Sequence, residues 1–353
     1  MKISPNRPEA ILSDLDVVAY KKQMKAAYAV EALEEGYHVL VLDYFSSGLE
    51  IVNELKQYLH QKYPQKTHQQ QLEYRKNYRD LSHRILMEVS RHRMRVKKAP
   101  TIGWIKILYP DLNDFLLSFP DIQGLNSAWQ WYVNGVKIPV LQKPLHPWYG
   151  TYFPTRFEHL ELFDAYLKND TAKKNLAIDV GVGSGVLSLQ MLQQGFVKVI
   201  GTDSNPNAII GMQNLVKEED LQERLQLYYG DLFVNCEDKA DLIVFNPPWL
   251  PLPREVKGIE QAMYYGHDLF PRFFEQAIQH LNPDGELVLL FSNLAQITQS
   301  ANSHPIEEEL AHAHRFTKVA VDKKGVRKAS AKTKRNLRRR AEEQVELWVL
   351  KPQ

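Results

Sequence analysis

Apolar and polar positions change period several times along the chain, and the regular part begins at Leu176. Strands are predicted at 176–180, 198–203, 225–229, 241–246, 286–291, about 316–321 and 345–350. Helices are predicted between them at 186–194, 206–219, 269–281 and 305–314. Strands alternating with helices of this length predict a mainly parallel sheet, seven strands wide, with helices on both faces. The closing strands, FTKVAVDKK and VELWVLKP, flank a basic stretch, so the last is expected to run antiparallel. An amphipathic helix carrying Leu160, Phe163 and Leu167 on one side precedes the sheet.

The first half is less regular. Ser13 and Asp16 read as a capping box ahead of a helix from about Leu15 to Glu35, with Val17, Tyr20, Met24, Ala27 and Tyr28 at helical spacing and Gly36 as its stop. HVLVLDYF predicts a strand, and Ser47 with Glu50 opens a helix to about Tyr63. That strand–Ser-Ser-Gly–helix unit suits either an anion or an ordinary satisfied cap. Leu81, Ile85 and Val89 give the next stretch one apolar face. WQWYVNGVKIPVL predicts a hairpin about Asn134-Gly135. Pro139, Pro144 and Pro147 punctuate the chain from there. The expected division is an N-terminal α-rich (α+β) domain over 1–147, serving acceptor recognition, and an α/β domain over 148–353 with a basic insertion at 323–340.

Composition narrows the class. At 353 residues, with 44% hydrophobic and 24% charged residues, the chain reads as an ordinary globular protein of two domains. The lone cysteine, Cys236, permits no intramolecular disulfide and suits a reducing compartment. MKISPNRPEAILSDLD lacks an apolar signal core, and no apolar run approaches the roughly 20 residues of a membrane helix; the expectation is a cytoplasmic protein without membrane contact. The 12 histidines form no cluster of metal-ligand spacing, so no metal is expected. Net charge is only +2, but it is unevenly spread. Residues 56–98 hold twelve Lys or Arg against Glu73, Asp80 and Glu88, and 323–340 hold ten with no acid. Each stretch is either a solvated face or a contact for RNA or the ribosome.

Candidate chemistry collects at predicted strand ends. LAIDVGVGSG places Asp179 at the end of an apolar strand, followed by Gly181, Gly183 and Gly185, and then a helix. A glycine turn of this kind brings backbone N–H groups and a helix N-terminus to the carboxyl edge of a sheet. Its spacing differs from the G-x-G-x-x-G of dinucleotide folds. Asp203 ends the next strand, where a carboxylate can accept both hydroxyls of a ribose. Asp231 ends the third, placed for an exocyclic amine with Leu232 against the ring. Asn246-Pro247-Pro248-Trp249 ends the fourth.

These residues resemble the class I S-adenosylmethionine-dependent methyltransferases. DVGVGSG is similar to their first motif, Asp203 to the ribose-binding acid, and Gly230-Asp231 to the adenine-side acid. NPPW is similar to the (N/D/S)PP(Y/F/W) motif of the branch that methylates planar nitrogens. Within it the chain most resembles the release-factor glutamine methyltransferases and small-domain methyltransferases. FPTRFEHLEL stands where those carry PR-x-E-T-E, and the resemblance covers about Tyr149 to Pro352. It implies a Rossmann-like sheet, S-adenosyl-L-methionine as cofactor, and Asp179, Gly181, Gly183, Gly185, Asp203, Asp231, Leu232 and Asn246 around it. Asn246, Pro247 and Trp249 are the expected catalytic residues. Pro248, Trp249, Phe153 and Arg156 are the expected substrate contacts. The expected acceptor is a macromolecule: a glutamine amide of a translation protein, or alternatively an adenine-N6 or guanine-N2 amine of rRNA or tRNA. A protein that binds cofactor or RNA without catalysis is the weaker alternative, and the oligomeric state is left open.

Overall fold

A computed structural model describes residues 3–12, 15–169, 173–252, 263–301, 303–327 and 342–353. Ser13 of the expected capping box and most of the basic insertion, 328–340, lie outside them. The chain forms two compact units, Asn6–Val133 and Asn134–Gln353, the latter joined by Met1–Pro5. The division therefore falls earlier than the expected boundary near 145–148. Residues after the helix belong to the larger unit, where Ile138 and Leu145 are buried in its core.

In the smaller unit the elements are β1 (Val17–Tyr20), α1 (Ala26–Glu34), β2 (His38–Val41), α2 (Phe45–Lys62), α3 (His68–Ser82), β3 (Ile85–Ser90), β4 (Arg93–Met94), α4 (Gly103–Leu108), β5 (Asp114–Ser118) and α5 (Phe119–Asn134). β1, β2 and β3 are parallel neighbours, and β4 and β5 pair with β3 antiparallel. Among the described residues the unit thus combines five helices with a mixed five-stranded sheet. Four expectations fail here. Val17–Tyr20 is a strand paired with His38–Val41, not the start of a helix. Its Val-Val-Ala-Tyr suits a pleated surface better than a helical one. Ile85 and Val89 belong to β3, because the helix stops at Ser82. The tryptophan-rich run lies in α5, not in a hairpin. Gly135, at φ 70°, follows the last helical residue, and Asn-Gly serves a helix stop as readily as a hairpin turn. Ser46, Ser47 and Gly48 lie within the first turns of α2, whose N-cap is Tyr44 without a side-chain cap bond, so Ser47 does not cap the helix as expected. The Asp43 carboxylate before the helix accepts from the Tyr44 N–H and the Ser47 hydroxyl at 2.7 and 2.9 Å.

In the larger unit the elements are α6 (Glu158–Asn169), β6 (Leu176–Val180), α7 (Val186–Gln193), β7 (Lys198–Asp203), α8 (Pro206–Glu218), β8 (Leu225–Tyr229), β9 (Ala240–Phe245), β10 (Leu250–Pro251), β11 (Tyr264–Tyr265), α9 (Leu269–Ala277), β12 (Leu281–Ser292), α10 (Leu294–Ile297), α11 (Pro305–Glu308), β13 (Phe316–Gly325) and β14 (Gln344–Pro352). Seven strands form one sheet in the order β13-β14-β12-β9-β6-β7-β8. β12, β9, β6, β7 and β8 run parallel, and β14 is antiparallel to both β12 and β13. Successive strand side chains alternate between faces. Ala177, Val199, Leu242, Val244 and Val288 meet α6 and α7 through Phe163, Leu167 and Met191. Ile178, Ile200, Ile243, Phe245 and Leu289 meet α9 through Phe273 and Phe274 on the other side.

Candidate functional site

Parallel pairing aligns the carboxyl ends of four adjacent strands. Asp179 is level with Gly201 of β7 and Val244 of β9, while Asp203 is level with Tyr229 of β8. Asn246, Asp179, Asp203 and Asp231 therefore sit at or next to the tips of β9, β6, β7 and β8, on one edge of the sheet.

Their local environments differ. Asp179 is 1% exposed. One carboxylate oxygen accepts from the backbone N–H and the hydroxyl of Ser188, at 2.9 and 2.6 Å. Ser188 lies in the first turn of α7, so this acid caps the helix from the neighbouring strand. Its other oxygen is buried without a hydrogen-bond partner among the described residues. Burial pushes the Asp179 carboxyl up to about 7, against the pull of Ser188 and with help from the Asp203 charge. Asp203 bridges two loops, accepting from the N–H of Gly183 and of Asn205, both at 2.8 Å. Burial raises its pKa, and those two bonds oppose the rise.

Gly181, Gly183 and Gly185 all have positive φ, at 71°, 51° and 82°. They are not alike. A Cβ at Gly185 would lie 2.4 Å from the Met212 methyl, so the end of that side chain would have to move to admit one. At Gly181 and Gly183 a Cβ would come no nearer than 3.6 and 3.5 Å to protein atoms beyond the chain neighbours. At those two positions the positive φ by itself favours glycine, and the space beside the backbone is clear of protein atoms. The open turn, the ribose-suited carboxylate beside it and the acid one strand further fit the methyl donor that the sequence implied.

Asp231 is exposed and paired with Arg272 at 2.6 Å. Leu232, expected against a ring, is 6% exposed in the core under the sheet, beside Phe233 and Phe245. Arg272 had no signal in the sequence beyond standing four residues after Asp268, with which it also forms an ion pair at 2.9 Å.

After β9, Pro247 is buried, while Asn246, Pro248 and Trp249 are partly exposed. Trp249 turns inward. Its indole N–H donates to the Asn246 side-chain oxygen at 3.1 Å and to the Leu290 carbonyl at 3.3 Å. The His159 ring abuts Trp249 edge to face, with centroids 5.4 Å apart at 89°. His159 is 2% exposed, neither ring nitrogen has a hydrogen-bond partner among the described residues, and burial lowers its pKa to about 4. The expected substrate contacts upstream look different. The Arg156 guanidinium is bound to Glu343, a carboxylate that is 1% exposed, and Phe153 packs on the core. Both side chains are thus accounted for by structure. His159 was missed, although it occupies the same stripe as Phe163 and Leu167 at four-residue spacing. A titratable residue on an apolar stripe was the available signal.

Among the described residues no group of three His, Cys, Asp or Glu could hold a metal, and no helix is long and apolar enough to cross a membrane.

The family described as methyltransferase small domain matches residues 161–320. A relative from Methanocaldococcus jannaschii, provisionally named a protein N5-glutamine methyltransferase, is 30% identical over 159 residues, 42% of this chain and 78% of its own. The release factor glutamine methyltransferase of Geobacter sulfurreducens is 31% identical over 125 residues, but the match spans only 43% of that protein. A ribosomal protein L11 methylase structure from Lactobacillus delbrueckii aligns with a TM-score of 0.40 at 18% identity, covering 58% of this chain and 83% of that one. With its seven-stranded sheet and glycine turn, this chain belongs to the methyltransferase small-domain family and is a class I S-adenosylmethionine-dependent methyltransferase.

Proposed function

We propose that the enzyme methylates a planar side-chain nitrogen of a macromolecule, a glutamine amide of a translation protein in particular. The observation that carries this reading is Asn246-Pro247-Pro248-Trp249 at the tip of β9, next in the sheet to the β6 turn. Relatives named for glutamine methylation, including the ribosomal protein uL3 enzyme of Bradyrhizobium diazoefficiens, support it.

The nitrogen of an amide is a weak nucleophile because its lone pair is delocalised. The Asn246 side-chain oxygen would accept one N–H of the acceptor and the Pro247 carbonyl the other. An amide oxygen has two lone pairs, so the bond from Trp249 leaves Asn246 one free site. Prolines fix φ and add no competing donor. Trp249 would serve as a wall rather than a freely moving platform, because its N–H is held. Gly181, Gly183, Asp203 and Asp231 would hold the donor. When bound, the donor supplies a methyl group on a positively charged sulfur. Positioning of this sort supplies up to about 7–11 kcal/mol, and carbonyl dipoles face the charge that develops on nitrogen.

Incubation with a labelled donor and separated ribosomal RNA and protein fractions tests the acceptor. Recovery of label as N5-methylglutamine after digestion is the expected result, and label confined to RNA overturns the glutamine reading. Asn246→Ala tests the site: donor affinity should stay within a few-fold while turnover falls at least about 100-fold, the loss of one well-placed polar group.

A further inference from the structure

Burying an imidazole is costly when neither nitrogen is satisfied. Phenylalanine would fill the same place against Trp249 at no such cost. His159 is held in this state beside the aromatic that bonds Asn246. Among the described residues nothing uses the polar atoms of the ring. Leu160, Phe163 and Leu167 close the core face of α6, whereas Trp249, the ring that His159 touches, and Asn246 are partly exposed.

We propose that His159 is an acceptor-binding residue: its neutral imidazole hydrogen-bonds the acceptor's amide group where that group rests against Trp249 and Asn246. Burial in the described surroundings keeps the ring uncharged at neutral pH. A neutral imidazole offers one donor and one acceptor, matching the C=O and N–H of a primary amide. The inference deepens the reading of Asn246 to Trp249 as the acceptor site and rests on it.

His159→Phe keeps the ring contact and removes the hydrogen bonds. We expect it to fold with unchanged or higher thermal stability, to bind S-adenosylhomocysteine normally by calorimetry, and to lose at least about 30-fold in kcat/KM on the labelled protein fraction. His159→Gln, which restores an amide donor and acceptor, should recover part of that loss. A second measurement uses no turnover. With S-adenosylhomocysteine bound to the full chain, N-acetylglutaminamide should shift the ring 15N signals that disappear in His159→Phe. Undiminished kcat/KM in His159→Phe, or ring signals unmoved by saturating amide, overturns the inference. Asn246→Ala assayed beside it separates the two ideas. If Asn246→Ala retains turnover, the acceptor site itself is misplaced; if it is inactive while His159→Phe is fully active, only the role of His159 falls.

Discussion

Asp179 and His159 are both buried and both shifted, in opposite senses, and each leaves a signature in stability. An acid raised to about 7 when folded keeps its proton where the unfolded chain has lost it. Between about pH 4 and 7 this carboxyl makes stability fall as pH rises. Asp179→Asn should therefore gain on the parent across that window, read as the difference in denaturation midpoint at pH 5 and pH 8; parallel shifts at the two pH values would contradict it. A histidine lowered to about 4 does the reverse. The unfolded chain binds its proton first, so stability drops as pH falls from about 6.5 to 4, by up to about 3 kcal/mol. His159→Phe should flatten that slope. Arg156 supplies a third residue-scale test. Removing it leaves the Glu343 carboxylate buried and unpaired. The cost should be roughly 2–3 kcal/mol, below a fully buried pair because Arg156 is partly exposed. Arg156→Ala should thus lower the melting temperature without a selective rise in acceptor KM.

At the scale of elements, the glycine turn and α7 form one device. Ser188 ties the first turn of α7 to Asp179, and Asp203 ties Gly183 to the neighbouring strand. Ser188→Ala should cost about 1–3 kcal/mol, because it strips a bond from a buried carboxylate; a guanidinium titration reads this directly. The strand and helix runs from Leu176 onward were legible because the central strands are buried on both faces and the period of the pattern is unopposed. The failures have local causes. Val17–Tyr20 carries residues compatible with both periods, and only the availability of β2 as a partner decides for the strand. Asn134-Gly135 marks a reversal of backbone hand, which ends α5 as well as it would turn a hairpin. Arg156 and Phe153 were singled out for their place before α6. Their partners, Glu343 and the core, lie too far along the chain for any local pattern to reveal.

For the molecule as a whole, the basic insertion changes meaning once contacts are known. Of its ten cations, Lys323 pairs with Glu346, Lys324 with Glu161, and Arg327 with Glu158 and Glu161. These three anchor β13 to α6 and β14. Glu346 is held down to about 2 because bonds from His304, Lys323 and Trp348 outweigh the effect of burial. Lys323, Lys324 and Arg327 already carry ion pairs, so the test for RNA contact is placed on the cations of 328–340. If RNA binds there, neutralising Lys334, Arg335, Arg338 and Arg339 should reduce the slope of log affinity against log salt by about 0.7 per lost phosphate contact. Arg327→Gln should lower stability instead, leaving that slope unchanged.

Sequence alone determined the α/β class, the seven strands and the residues at four strand tips, because hydrophobic period and glycine chemistry are local properties. Tertiary structure alone decided which charges are spent internally, that Trp249 faces Asn246, and that His159 lies unpaired beside them among the described residues. Those outcomes depend on residues distant in the chain meeting across α6, β9 and β14, where burial rather than neighbouring sequence sets the energy of each polar group.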